Sequence, residues 1–108
     1  MIFQQTRVIL NHMELVEIQE KINPILRRHG IKRASVFGSV ARGDDRPDSD
    51  VDVLVELGER PMGMFAYMGL IEEMEETLGR KVDLVTKDSA NKFLKPYIQT
   101  NLKTIYEG

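Results

Sequence analysis

Asp50 and Asp52 open the run DVDVLVEL (50–57), and Asp83 is a lone charge inside the apolar run KVDLVT (81–86). Upstream, the run SVF leads directly into Gly38 and Ser39. Like charges held about 4 Å apart cost on the order of 4 kcal/mol per pair at an effective dielectric of 20. Carboxylates gathered where a chain enters a strand therefore wait for a cation. Residues two apart on a strand share a face, so Asp50 and Asp52 point one way while Val51 and Val53 point the other. At roughly 7 Å along the strand the two side chains can converge on magnesium, whose oxygen ligands sit at about 2.1 Å. If 82–86 neighbours 50–57, Asp83 joins them. Gly38 lets a phosphate approach the backbone, and Ser39 with the free N–H groups of a helix start can bind it. Two shared carboxylates, with a third that can also accept a proton, suit phosphoryl chemistry assisted by two metals.

Two other sites share part of this pattern and fail on the rest. Asp48, Asp50 and Asp52 match the first, third and fifth positions of an EF-hand loop, and Glu59 the twelfth. The sixth position, where a sharp turn needs Gly, is Val53, and VLVEL is a buried-strand pattern that cannot also curl around an ion. Gly38 and Gly43 have P-loop spacing, but Asp44 and Asp45 stand where Lys and then Ser or Thr should follow. An Asp in place of the Lys that neutralises a triphosphate argues against that fold.

The elements that hold these residues follow from periodicity. Residues 14–29 put Leu15, Ile18, Ile22, Ile25 and Leu26 on one helical stripe. Pro24 kinks this helix or opens a new turn with Asn23 as cap, and Gly30 suits its left-handed end. KRASVF is a short strand, Ser39 can cap the single turn VAR, and Gly43 ends that turn. The polar loop DDRPDS leads into the strand at 50–57. Residues 62–78 read as an amphipathic helix. Its core stripe is Met64, Met68, Ile71, Met74 and Leu78, with Met62 beside it, and Glu72, Glu73, Glu75 and Glu76 form the solvated side. KVDLVT is a strand, and 89–108 is mostly helical with a break before Pro96. This order predicts an α/β (α+β) fold, a small mixed β-sheet of 33–37, 50–57 and 82–86 with helices packed on it. The three acids should line one cleft at the mouth of GSVAR.

The stretch GSVARGDDRPDSDVD carries a Gly-Ser pair, a ten-residue spacer and Asp-x-Asp. It is similar to the signature of nucleotidyltransferases with the DNA polymerase beta type of fold. With VFGSVARG, SDVDVLVEL and KVDLV in so short a chain, it resembles more closely the minimal nucleotidyltransferase (MNT) family, over roughly residues 20–98. The resemblance implies that Gly38 and Ser39 hold a nucleoside triphosphate, that Asp50 and Asp52 bind Mg²⁺, and that Asp83 is the third carboxylate of a two-metal site. Many minimal members are antitoxins encoded beside a HEPN-domain ribonuclease toxin. The implied activity is transfer of AMP from ATP to a tyrosine hydroxyl of that toxin. A non-catalytic antitoxin that binds and blocks is the alternative, as is transfer to a small molecule such as an aminoglycoside. The family's larger members add a helical domain for such acceptors, and no second domain is visible here.

Composition bounds the remainder. The 108 residues make one domain, read as an extension at 1–13 and a nucleotidyltransferase domain at 14–108. A net charge of −2 gives no basic field for direct nucleic-acid binding. There are no cysteines, which excludes disulfides, thiolate zinc sites and cysteine nucleophiles and suits a cytoplasmic protein. Only His12 and His29 are present, too few for a multi-histidine metal site. No apolar run is long enough to span a membrane, and the opening residues lack signal-peptide features. Oligomeric state, homo or hetero, is open. Arg42 divides evenly between a phosphate contact and a solvated charge, Tyr97 and Tyr106 read as packing residues, and Arg80 and Lys81 are minor candidates for phosphate neutralisation.

Overall fold

The computed structural model describes residues 13–59, 62–90, 92 and 102–108. Helix α1 (Leu15–Arg28) buries Ile18, Ile22, Ile25 and Leu26. It runs unbroken through Pro24, which is exposed, so the hydrogen bond that proline forfeits lies on the solvent side. Asn23 does not cap a new turn. Its Nδ2 donates instead to the Ile105 carbonyl at 3.1 Å. Gly30, at φ 72°, takes the left-handed end.

Strand β1 (Arg33–Phe37) runs directly into the five-residue helix α2 (Gly38–Arg42), and β2 spans Val51–Glu56. Helix α3 (Met64–Leu78) carries the chain back to β3 (Val82–Thr86), parallel to β2, and the short helix α4 is Lys87–Ser89. The final strand, β4 (Lys103–Glu107), corrects the sequence expectation of helix over 89–108. β4 pairs antiparallel with β1, giving a mixed sheet in the order β3-β2-β1-β4. Pro96 and Tyr97, with the expected break, lie outside the described residues, as do residues 1–12. Met13 packs against the core.

One sheet face carries Ala34, Val36, Val51, Val53 and Val55, fully buried against Ile18, Ile22 and Leu26 of α1 and Leu70 and Met74 of α3. Each such Val, Ile, Leu or Met side chain contributes about 1.5–3 kcal/mol of transfer free energy. This is the core that fixes the site's frame. On the opposite face Phe37 and Ala90 pack with Leu54 and Val85. Tyr106 is buried, as expected of a packing residue.

The methionine stripe is only partly core. Met74 is fully buried and Met62 partly so, but Met64 and Met68 are 71% and 52% exposed, beside Phe65 at 91%. The buried arc of α3 passes through Tyr67, Leu70, Met74 and Leu78, rotated away from Met64 and Met68. Its orientation is pinned by Glu73, which accepts from Arg28 at the end of α1 and from His29, the residue that caps it. The Glu73 and Glu75 carboxylates thus have structural partners, leaving Glu72 and Glu76 as the solvated pair.

Asp45, expected in a solvated loop, is buried. Its Oδ2 accepts from Arg80 Nη1 at 2.8 Å and from the Met13 N–H at 3.1 Å. The bond clamps the loop before β2 to the turn before β3, and it commits Arg80 to structure rather than to phosphate. Burial alone would raise the Asp45 pKa, but Arg80 and the Met13 N–H together hold it below the usual value. Arg80→Met is expected to cost about 3–5 kcal/mol in urea unfolding at pH 7, because a buried carboxylate loses its partner. A depressed carboxylate contributes stability above its unfolded pKa of 3.8 and loses it as pH falls through the lower folded value. The penalty should therefore shrink below about pH 4. An unchanged midpoint at pH 7 would show that the pair carries no stability.

Candidate active site

The β1–α2 junction forms the candidate phosphate-binding turn. Phe37 is extended, Gly38 turns to φ 73°, and α2 follows at once. Gly43 closes the turn at φ 80°, donating to the Ser39 and Val40 carbonyls. Ser39 lies inside this turn rather than capping it, since Phe37 holds the N-cap position. The residue is half-buried.

Strand register delivers the acids to the same place. Asp52 pairs across β1 with Phe37 and across β3 with Asp83. Neighbouring strands lie about 4.8 Å apart, so Asp52 and Asp83 stand side by side on the face that also carries Phe37. Asp50 sits one residue ahead of β2, exposed, rather than on the strand itself. The Asp52 carboxylate presses against Gly38: a Cβ there would meet its Cγ at 3.1 Å and its Oδ2 closer still. Only glycine fits, for its backbone angle and for the space the carboxylate takes.

Asp52 is the electrostatic centre of the group. Burial first, then the charges of Asp83 and Asp50, push its pKa up to about 6, and Arg42 opposes them. Arg42 is exposed, with Nε 3.2 Å from Asp44 Oδ2, and its charge reaches the site. Lys81 is exposed.

Two residues near Asp83 had no signature in the sequence. Tyr67 Oη donates to the Leu84 carbonyl at 2.7 Å, and Glu75 Oε2 accepts from the Val82 N–H at 2.9 Å. Both belong to an amphipathic helix pattern, and only the tertiary contact between α3 and β3 distinguishes them from ordinary helix residues.

The donor set suits a hard cation. All three acids offer oxygen, and Mg²⁺ is usually held by one or two carboxylates with substrate phosphates completing the shell. The mutual repulsion at Asp52 is what such an ion would relieve. Among the described residues no group of three or more His, Cys, Asp or Glu side chains is placed to hold a metal ion. Asp52 and Asp83 are register neighbours rather than a finished site.

A profile of the nucleotidyltransferase domain matches residues 18–105. The chain belongs to the nucleotidyltransferase family. A Methanocaldococcus jannaschii protein provisionally named a protein adenylyltransferase is 46% identical over 86 residues, covering 80% of this chain and 91% of that one. The protein adenylyltransferase MntA of Thermococcus cleftensis is 41% identical over 78 residues, 65% and 78% of the two chains. Among solved structures, a toxin–antitoxin with AMP-PNP superposes with a TM-score of 0.71 at 26% identity, over 83% of this chain and 73% of that one. A chain provisionally described as a minimal nucleotidyltransferase gives 0.69 at 34% identity, over 84% and 95%. The α+β fold expected of an MNT protein is thus the fold this nucleotidyltransferase has. Among the described residues, no helix is long and apolar enough to cross a membrane.

Proposed function

We propose that this nucleotidyltransferase moves AMP from ATP to a hydroxyl, that of a tyrosine, on a partner protein, and acts in the cytoplasm as the antitoxin of a HEPN-domain ribonuclease toxin. The observation that carries the reading is Asp52, wedged against Gly38 and in register with Asp83. It joins the Gly38–Ser39 turn to the acid pair. The similarity to protein adenylyltransferases and to a toxin–antitoxin with AMP-PNP supports the direction of transfer.

In this reading Gly38 and Ser39 hold the triphosphate through backbone N–H groups and the Ser39 hydroxyl, and Arg42 lends positive charge at its rim. Asp50, Asp52 and Asp83 would hold Mg²⁺, which neutralises charge on the phosphate oxygens when bound. Asp83, more exposed than Asp52, faces the incoming acceptor and takes its proton. The acceptor oxygen bonds to the α-phosphorus, the bond from that phosphorus to the bridging oxygen breaks, and pyrophosphate leaves.

The test is incubation of the purified protein with ATP, Mg²⁺ and a candidate HEPN-type partner protein, read by intact mass and by peptide mapping of the modified residue. An AMP-sized increment on a partner tyrosine, lost with the Asp83→Asn variant, is the expected result. Tight binding with no increment would identify a blocking antitoxin, and turnover on an aminoglycoside without the partner would reject a protein acceptor.

A further inference from the structure

We infer that Tyr67 is a positioning residue for this reaction: its hydroxyl, bonded to the Leu84 carbonyl, holds the edge strand that presents Asp83 to Asp52. The inference rests on the proposed role of Asp83.

Among the described residues β3 ends the sheet, with β2 as its neighbour. Val51 N–H donates to the Lys81 carbonyl, and in a parallel ladder alternate residues face the neighbouring strand. Lys81, Asp83 and Val85 therefore turn their peptide groups toward β2, while Val82 and Leu84 turn theirs outward. An edge strand left with such groups open is the part of a sheet that opens most easily. Here α3 closes it twice, at Val82 N–H through Glu75 and at the Leu84 carbonyl through Tyr67. The two contacts bracket Asp83.

The helix that supplies them is itself anchored, since Leu70, Met74 and Leu78 are buried in the core. Tyr67 thus transmits the position of a rigid helix to the peptide next to Asp83. Burial first, and then the neighbouring charge of Asp83, raise the Tyr67 pKa. The phenol keeps its proton and remains a donor across the working pH range. A carboxylate displaced by even about 1 Å from its productive position can lose a large part of the rate.

Tyr67→Phe removes only the hydroxyl. Measured as pyrophosphate release with ATP, Mg²⁺ and the partner, it is expected to lower kcat about 10-fold while leaving the KM for ATP within about 2-fold, because the Gly38–Ser39 turn is untouched. Backbone N–H exchange at Asp83 and Val85 should quicken in the same variant, a readout independent of activity. Ile22→Val, which thins the core away from β3, should keep both the wild-type kcat per folded molecule and the slow exchange. A wild-type kcat in Tyr67→Phe, or exchange no faster than in Ile22→Val, would overturn the inference. So would a loss that Ile22→Val reproduces, which marks a stability effect. Failure of the wild-type protein to transfer at all would instead reject the proposed function, and the positioning role with it.

Discussion

Asp52→Asn is expected to abolish transfer and, at the same time, to stabilise the protein in the absence of divalent ions. Loss of a group that organises charge in the transition state costs about 10²–10³ in rate. Asp52 should lie at or above that range because it stands at the centre of the acids. The stability gain has a separate origin. Ionised Asp52 is desolvated and faces two like charges, and its pKa stands at about 6 against 3.8 for the free group. Above pH 6 both folded and unfolded states carry the charge, and the folded state bears its cost. As pH falls from 6 toward 3.8, the folded state takes up a proton that the unfolded state does not, so the wild-type protein gains stability. The shift corresponds to about 3 kcal/mol, reduced to about 1–2 kcal/mol by solvent around a half-buried group. Urea unfolding with EDTA at pH 7.5 should place the Asn midpoint above wild type, and the gap should close near pH 4. A less stable Asn variant at pH 7.5 would mean that neither burial nor the neighbouring acids burden the ionised carboxylate. Added Mg²⁺ should narrow the gap from the other side, by stabilising the wild-type protein more than the variant.

Gly38→Ala should be nearly as damaging although it alters no charge. Alanine at φ 73° costs about 1–2 kcal/mol in backbone strain. The new methyl also meets the Asp52 carboxylate, which must leave its place against the turn. The expected outcome is a loss of about 2–4 kcal/mol in stability and at least tenfold weaker binding of ATP·Mg²⁺ by calorimetry. The two costs can be separated. In Gly38→Ala combined with Asp52→Gly the strain stays and the collision goes, so the double variant should be more stable than the sum of single effects by about 1 kcal/mol or more. Additive effects would show that the methyl finds room without moving Asp52.

What could be read before folding was whatever is written locally. The run VFGSVARG carries both its strand and its turn, because glycines stand where the backbone must go left-handed. DVDVLV alternates as a half-buried strand should, so Asp52 could be placed on a face and paired with Asp83 through one assumption about neighbouring strands. The features that escaped are decided at a distance. KTIYE holds three β-forming residues, Thr104, Ile105 and Tyr106, but so short a run at the end of a helical pattern becomes a strand because β1 has an open side to pair with. The exposed Met64 and Met68 match an apolar stripe as well as Met74 does. Which arc of α3 turns inward is settled by Glu73 reaching α1 and by Tyr67 reaching β3. Asp45 resembles its solvated neighbours Asp44 and Asp48, and its partner Arg80 lies 35 residues on.

The pairing of β1 with β4 also sets an order of events. Arg33 and Glu107 are 74 residues apart in sequence, yet they bond across the sheet. On a ribosome adding about 5–20 residues per second, β1 waits roughly 4–15 s for its outer neighbour. Meanwhile β2, α3 and β3 emerge and assemble the whole acid-bearing half of the sheet. The proposed nucleotide site can thus form before the fold is closed, and the unpaired side of β1 is the surface a nascent chain must protect. The Ile105 carbonyl, taken up by Gln19 and Asn23 of the first helix, is the latch that ends this interval. The earliest and the latest segments of the described chain meet there, and closure of the sheet is registered by the helix that began it.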